Sequence, residues 1–335
     1  MIRYLDKGEK QNIRELYNTC FSDGREYREY YLANKVPNNI IAVNEDDGEI
    51  KSMLQLVPKT AVIGKLKTEL NYIYGICTSP LYRSEGYMKE LMQKVLHDLY
   101  RNLDAFTYLI PTDENTSDMY RKFGFEYVMD HKELKPEHLR KKATHSLILR
   151  RADKQDLVKL SIFAQTNTEN RYKVTLAKNM DYFRELEALI ELEGGYIELY
   201  VENLVIMGYR VWIDGKIYEE VLDSSIASMS YFGNERKPYL MARVMNIRKT
   251  LRLLDFKGDG VKVIKINDPV IPENTGVFRL SYQRNDLKVT KLKGDVIPEM
   301  EISINDLTAH IFGYRMIPGF PKVCNEDAFF INDYI

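Results

Sequence analysis

Ile13, Leu16, Tyr17, Cys20 and Phe21 recur at helical spacing, and three runs rich in strand-forming residues follow: Asn39 to Val43, Ile50 to Val57 and Leu70 to Thr78. Turn signals such as Asp46-Asp47-Gly48 separate the runs, so the pattern predicts one helix ahead of a strand meander. Met88, Leu91, Met92, Val95, Leu96 and Leu99 then stand at i, i+3, i+4, i+7, i+8 and i+11. That is one continuous apolar stripe, the mark of a helix lying on a sheet. Ala105 to Pro111 reads as a strand, Thr112 to Thr116 as a polar loop, and Tyr120 to Phe123 as a short helix that Gly124 ends before a strand from Phe125 to Met129.

Lys132 to Lys142 reads as a charged linker. Beyond it, Leu147 to Asp153 is a strand entering a helix around Leu157 to Phe163, an echo of the strand and helix between Ile2 and Leu16. Ile197 to Val201, Leu204 to Ile213 and Lys216 to Leu222 follow as strands, with Ile213-Asp214-Gly215-Lys216 as a hairpin turn. This predicts a second copy of the first fold, lacking its Arg-x-x-Gly loop and so expected to hold no cofactor. From Tyr239 the order is a strand to Val244, a helix from Ile247 to Leu254, and strands at Val261 to Ile266, Gly276 to Tyr282, Leu287 to Lys291 and Met300 to Ile304. Asn305 or Asp306 can cap a last helix through Leu307 to Phe312. The expected division is 1–140, 141–238 and 239–335, and the expected fold class is α/β with mixed sheets.

A chain of 335 residues accommodates two or three domains. Lys+Arg 48 against Asp+Glu 49 leaves a net charge of -1, which supplies no global field for nucleic acid or anionic lipid, so neither partner is expected. No apolar run approaches the roughly 18 to 20 residues that span a bilayer, and the first residues lack the apolar stretch of a secretion signal. A soluble, cytoplasmic protein is expected. Cys20, Cys77 and Cys324 are far apart with no Cys-x-x-Cys pair, and His97, His131, His138, His145 and His310 show no ligand spacing, so reduced thiols and no metal are expected.

The candidate chemistry lies between Ile76 and Leu91, where an apolar strand runs through Pro80 into Arg83-x-x-Gly86 and then into the amphipathic helix. A helix start leaves backbone N–H groups unpaired and carries a partial positive charge. With a glycine in the turn, a diphosphate can approach the main chain closely. A single Arg-x-x-Gly is more often an ordinary turn, so the reading leans on its neighbours.

Arg83-Ser84-Glu85-Gly86-Tyr87-Met88, followed by Asn115-Thr116-Ser117-Asp118-Met119-Tyr120-Arg121-Lys122-Phe123-Gly124-Phe125, resembles the acetyl-CoA loop and Tyr-x-x-x-Gly-Phe segment of the GNAT N-acetyltransferases over residues 1 to 130. The family loop is Gln/Arg-x-x-Gly-x-Gly/Ala, and Met88 stands here in place of its final small residue. The bulkier residue, a degenerate second acetyltransferase-like domain and a last α+β domain similar to sterol carrier protein 2 together resemble the Eis (enhanced intracellular survival) type. Ala242-Arg243-Val244-Met245-Asn246-Ile247, Asn267 to Asn274, Ile302 to Thr308 and Ile311-Phe312-Gly313-Tyr314 look like successive signatures of that type. The implied fold is tandem GNAT-like domains followed by an SCP2-like domain.

The resemblance implies transfer from acetyl-CoA, as co-substrate, to a primary amine by direct attack in a ternary complex. It puts the thioester near the backbone of Ile76, Cys77 and Thr78, the diphosphate on the main chain of Arg83, Ser84, Gly86, Tyr87 and Met88, and the pantetheine arm near Asn115. Tyr120 would be the general acid and the terminal carboxylate of Ile335 the base. The implied acceptors are aminoglycoside-like, polyamine-like or lysine side chains, and the implied assembly is a homo-oligomer, a hexamer in the best-known members. Tyr27, Tyr30, Tyr31 and Glu29 either line a cation-accepting cleft or pack a helix. Cys77 could serve as an acyl-accepting nucleophile, although a cysteine in an apolar strand is usually a small buried hydrophobe. The rival reading is a non-catalytic binding protein whose SCP2-like end holds an apolar ligand.

Overall fold

A computed structural model describes residues 1–64, 66–134, 147–226, 232–253, 258–283, 286–321 and 329–332. In chain order the first elements are β1 (Ile2–Tyr4), α1 (Arg14–Cys20) and α2 (Arg25–Tyr30), which a π-helical turn continues to Lys35. They are followed by β2 (Ile40–Asp46), β3 (Glu49–Ile63), β4 (Leu66–Thr78), α3 (Tyr87–Arg101), β5 (Phe106–Leu109), α4 (Glu114–Arg121) and β6 (Glu126–Leu134). Next come β7 (Ile148–Arg151), α5 (Leu157–Arg171), β8 (Val174–Leu176), α6 (Met180–Glu191), β9 (Tyr196–Glu202), β10 (Val205–Ile213) and β11 (Lys216–Leu222). The last are β12 (Phe232–Val244), α7 (Ile247–Arg252), β13 (Gly260–Asn267), β14 (Gly276–Gln283), β15 (Asp286–Lys291), β16 (Met300–Ser303), α8 (Ile304–Ile311) and β17 (Phe329–Phe330). The fold class is the expected mixed α/β. Among the described residues no helix is long and apolar enough to cross a membrane.

The elements fold into two compact units. One takes Met1–Thr60, Thr68–Met129 and Tyr239–Asp327; the other takes Ala61–Lys67, Asp130–Pro238 and Ala328–Ile335. In the first, strands run in the order β1-β2-β3-β4-β5-β12-β6. β1 and β2 are antiparallel with Arg3 opposite Val43, and β4 and β5 are parallel with Tyr72 opposite Tyr108. β12 is antiparallel to β5, Arg243 facing Thr107, so a strand from far along the chain sits between two strands that α4 joins. The stripe foreseen on α3 is the face that enters the core: Leu91, Met92, Val95 and Leu96 are 0% exposed and Leu99 is 1%. A second sheet, β15-β14-β13-β16, has one parallel pair, β13 with β16.

The other unit packs α5 and α6 on the sheet β11-β10-β9-β7, with Leu160, Ala164, Phe183, Ile190 and Tyr209 in its core. The foreseen hairpin is present: Asp214 (φ 47°) and Gly215 (φ 70°) are both left-handed, as a tight turn matched to strand twist demands. β8 pairs with Ala61 to Ile63 at the end of β3 and with β17.

Three local expectations are corrected. α4 starts at Glu114, inside the expected polar loop, because the Asp113 carboxylate caps it by accepting from the Thr116 N–H at 2.7 Å. α8 is capped by Ser303 rather than by Asn305 or Asp306: the Ser303 hydroxyl accepts from the Asp306 N–H at 3.0 Å. The Asn305 amide instead donates to the carbonyls of Arg121 and Phe125, at 3.0 and 2.8 Å. β6 continues to Leu134, through the start of the expected linker, and the rest of that linker lies outside the described residues. α6 and β8 had no sequence expectation.

The first unit closes around the buried guanidinium of Arg243. Arg243 is 0% exposed; its Nε donates to the Phe123 carbonyl at 2.6 Å, Nη1 to the Val244 carbonyl at 2.9 Å, and Nη2 to the Asp268 carboxylate at 2.7 Å. Asp268 also accepts from the N–H groups of Val270 and Ile271 at 2.9 Å, and from the Asn274 amide at 2.9 Å. Removing one member of a buried ion pair strands the other. Asp268→Ala is therefore expected to lower stability by about 3 to 5 kcal/mol, read from urea denaturation of the whole chain, and an unchanged midpoint would contradict this account.

Candidate active site

β4 leaves β5 after their register at Tyr72 and Tyr108, and at Gly75 it takes a left-handed residue (φ 57°). A Cβ there would lie 2.8 Å from Gln55 Nε2, so the bend and the glycine go together. Gln55 is fully buried, and its Oε1 accepts from the Tyr31 hydroxyl and the Asn39 amide, each at 2.9 Å. Past this bend, Ile76, Cys77 and Thr78 finish the strand half-buried.

The turn that follows is closed by the Tyr82 N–H donating to the Ser79 carbonyl at 2.9 Å and is also fastened to β3. The Ser79 N–H donates to the Lys51 carbonyl at 2.9 Å. Lys51 Nζ lies 3.7 Å from the centre of the Tyr82 ring, and the Tyr82 hydroxyl donates to Glu49 at 2.9 Å. These three groups went unseen in the sequence, where about thirty residues separate the lysine from the ring and no motif joins them.

Ser84 (φ 67°) and Gly86 (φ 97°) then reverse the chain, and Gly86 is the N-cap of α3 with no side chain capping the helix. Nothing lies within 4 Å of a Cβ built on Gly86, so the approach to the first amides is clear. Asn44 donates to the Tyr87 carbonyl at 3.4 Å and to Glu90 at 3.2 Å, holding the first turn against β2, and the Tyr87 hydroxyl reaches Asp46 at 3.4 Å. Arg83 is exposed, its Nε 3.5 Å from the Thr78 carbonyl, and Met88 is half-buried. Ile76 to Met88 thus form one continuous surface: a strand end, a pinned turn and an uncapped helix start.

Asn115 is exposed in the first turn of α4, and Tyr120, 6% exposed, lies in its last turn with its ring 6.0 Å from Phe125. Burial, and after it the charge of Asp113, pushes the Tyr120 phenol well above the ordinary tyrosine range, so it stays protonated at neutral pH. Ile335 lies outside the described residues. Of the residues weighed for a cation-accepting cleft, Tyr31 is 0% exposed and stacks on Tyr17 at 5.4 Å, which makes it core. Glu29 pairs with Arg14 at 2.8 Å. A hollow of about 450 Å³ lies elsewhere in this unit, lined by Tyr4, Asn71, Lys94, Asp98 and Arg101 among others, and shares no residue with the turn.

Two cysteines remote in sequence meet here. Cys20 ends α1, and its thiol lies 3.6 Å from the carbonyl of Thr78, the residue that follows Cys77. The hydrogen bond from Cys77, and the nearby Arg83 guanidinium, pull Cys20 down to about 7, while Cys77 is pushed up by that same contact and by burial. Among the described residues no cluster of three or more His, Cys, Asp or Glu could hold a metal ion.

A sequence model of the acetyltransferase (GNAT) domain matches residues 1–128, and one of the sterol carrier protein domain matches residues 247–319. Residues 1–128 are a GNAT acetyltransferase domain. The chain is accordingly an acetyltransferase enzyme with a sterol carrier protein domain behind it. A comparison with curated proteins finds no match. Among solved structures, a probable N-acyltransferase from Enterococcus faecalis superposes with a TM-score of 0.78 at 16% identity, over 94% of this chain and 90% of its own. A GCN5-related N-acetyltransferase from Anabaena variabilis gives 0.73 at 16% identity over 93% and 90%. Eis1 from Mycobacterium abscessus gives 0.68 at 13% identity over 93% and 90%. At such identities the likeness is one of fold, and it runs through the segment between the two matched domains.

The two glycines of this candidate site separate two costs. Gly86→Ala meets open space and adds only left-handed strain, about 1 to 2 kcal/mol, whereas Gly75→Ala adds the same strain and also displaces the buried Gln55 amide. Urea denaturation should rank Gly75→Ala as the more destabilised; the reverse order would refute the reading of the β4 bend. Alkylation of Cys20 by iodoacetamide should rise with pH through a midpoint near about 7, because the thiolate is the reactive form. A midpoint at the ordinary thiol value of about 8.5 would remove the influence of Cys77 and Arg83.

Proposed function

We propose that the enzyme transfers acetyl from acetyl-CoA to a primary amine, by direct attack of the amine in a ternary complex. The observation that carries this reading is the uncapped start of α3, with Gly86 left-handed and open, directly after a strand that has parted from its neighbour. Free N–H groups at a helix start suit a diphosphate, and strand amides beyond a parting suit the amide-bearing arm of the carrier. No side chain caps this helix start and nothing lies within 4 Å of a Cβ built on Gly86, which is the sense in which the residues present fit the carrier.

In this reading the main chain of Arg83, Ser84, Gly86, Tyr87 and Met88 holds the diphosphate, with Arg83 adding side-chain charge. Ile76, Cys77 and Thr78 orient the thioester, and Asn115 lies beside the pantetheine arm. Tyr120, kept protonated by burial, gives its proton to the departing sulfur. The terminal carboxylate of Ile335 takes the proton of the amine. The likeness to Eis1 supports an Eis-type enzyme and, with it, aminoglycoside-like, polyamine-like or lysine acceptors, a cytoplasmic setting and a homo-oligomer such as a hexamer. The functional segments proposed are 1–140 for catalysis, 141–238 as a degenerate GNAT-like domain, and 239–335 as the SCP2-like domain.

Release of free CoA thiol across a panel of polyamines, aminoglycosides and lysine peptides tests the reaction. Acetyl-CoA at about 100 times its dissociation constant should also stabilise the folded chain by roughly 2.7 kcal/mol. No thiol release with any amine, and no stabilisation, would overturn the proposal. Tyr120→Phe should lower turnover by about 100- to 10,000-fold while leaving the acetyl-CoA stabilisation unchanged; undiminished turnover would take the phenol out of the mechanism.

A further inference from the structure

One buried donor beside the proposed thioester site is left unused by the mechanism above. Gln55 lies in β3, 0% exposed, and β3 is the neighbour of β4 in the sheet. Its Oε1 is fully engaged, accepting from the Tyr31 hydroxyl and from the Asn39 amide at 2.9 Å each. Asn39 Nδ2 also donates to the Tyr31 hydroxyl at 3.0 Å, so the three groups fix one another, and turning the Gln55 amide over would set its N–H groups against those of Asn39. The Nε2 end therefore faces the other way, and it has no hydrogen-bond partner among the described residues. A buried N–H without an acceptor is costly and calls for a reason.

That end faces β4. A Cβ built on Gly75 would lie 2.8 Å from Nε2, so the amide rests against the backbone of β4 at the left-handed residue where the strand bends. Gly75 comes directly before Ile76, Cys77 and Thr78, the half-buried strand end assigned above to the thioester. A glycine at the bend is what lets the donor come so close to the strand.

We propose that Gln55 is a further catalytic residue of the reaction proposed above: its Nε2 N–H donates to the carbonyl oxygen of the acyl group and stabilises the negative charge that gathers there as the amine adds. The role rests on that reading and deepens it. The donor's chemistry selects its partner. An N–H group repels a cationic amine and suits an oxygen acceptor, and the acyl carbonyl is the oxygen that the proposed placement brings to this stretch of β4. As the amine nitrogen bonds to the carbonyl carbon, one electron pair of the carbonyl double bond moves onto that oxygen. The pair returns when the carbon–sulfur bond breaks, and the sulfur leaves as the thiolate that Tyr120 protonates. Gln55 neither gains nor loses a proton in either half. Burial makes such a donor strong, because water does not compete for the oxygen, and the fixed bonds to Tyr31 and Asn39 mean that the amide need not reorganise as charge develops.

The test reads the hydrogen bond directly, by difference infrared spectroscopy of the whole chain saturated with acetyl-CoA isotopically labelled at its carbonyl carbon. The carbonyl stretch should lie lower in wild-type protein than in Gln55→Met, which fills nearly the same space without a donor, while acetyl-CoA stabilises both chains alike. Turnover of Gln55→Met should fall by about 100- to 1,000-fold, the range for loss of one such donor. Gln55→Glu, ionised at mildly alkaline pH, keeps an acceptor for Tyr31 and Asn39 but offers no N–H, and it should raise the stretch as well; it serves if the methionine variant does not fold. An equal stretch in wild type and in either folded variant overturns the role. So does a fall in turnover that comes with lost acetyl-CoA stabilisation and an unmoved stretch, which marks a structural part only. Wild-type protein that acetyl-CoA does not stabilise overturns the proposed reaction and the role of Gln55 together, so whether the carrier binds tells the two failures apart.

Discussion

A guanidinium cannot shed its charge by moving to a neutral form at any ordinary pH, so burying Arg243 obliges its surroundings to supply partners in fixed positions. The partners come from three parts of the chain: the Phe123 carbonyl just beyond α4, the Val244 carbonyl on its own strand, and the Asp268 carboxylate after β13. Gly124 leaves the space, since a Cβ there would lie 3.2 Å from Arg243 Nε and 2.8 Å from Ile304. The helix bearing Tyr120 is therefore held at its C-terminal end by residues more than a hundred positions away. Two sequence-matched domains, GNAT and sterol carrier protein, share this first unit, and the ion pair is one reason the two need not be separable bodies.

What the chain discloses by itself is whatever is repeated locally. The α3 stripe and the Asp214-Gly215 turn were legible because periodicity and a two-residue turn need no knowledge of distant neighbours. α6 was missed although Phe183, Leu186, Leu189 and Ile190 carry an apolar face, because no turn signal marks its start except Asn179, whose cap to Tyr182 is visible only in three dimensions. Ser303 was passed over as a cap because the two residues after it, Ile304 and Asn305, read as strand end and cap in their own right. The approach of Cys20 to the end of β4 was hidden for a plainer reason: α1 and β4 are neighbours through packing, and sequence separation says nothing about packing.

The candidate site has a similar division. The cradle is made of backbone, so its sequence trace is short, amounting to a glycine, a preceding strand and a following helix. In the proposed reading a bulky residue at Met88 is compatible with the cradle, because diphosphate binding would require N–H groups rather than a particular side chain. The side chains that matter for the turn act on its position: Lys51 and Glu49 hold Tyr82, and Asn44 holds the first carbonyl of α3. A rigid attachment to β3 and β2 keeps an uncapped helix start from fraying, which a site built on exposed amides otherwise invites.

Burial acts on the Tyr120 phenol and the Cys20 thiol in the same sense, raising both, yet they end on opposite sides of their ordinary values. No cation offsets the burial of Tyr120, and the Asp113 carboxylate adds to the rise, so the phenol stays neutral throughout the neutral range. Cys20 has Arg83 and a donated hydrogen bond from Cys77, and these outweigh its partial burial. An alkaline fall in any activity that depends on Tyr120 as a proton donor would then have to come from another group, because the phenol is the last of the two to ionise. The acid and the thiol are separated not by residue type alone but by their neighbours: Cys20 has Cys77 first and the Arg83 guanidinium second to offset its burial, and Tyr120 has neither.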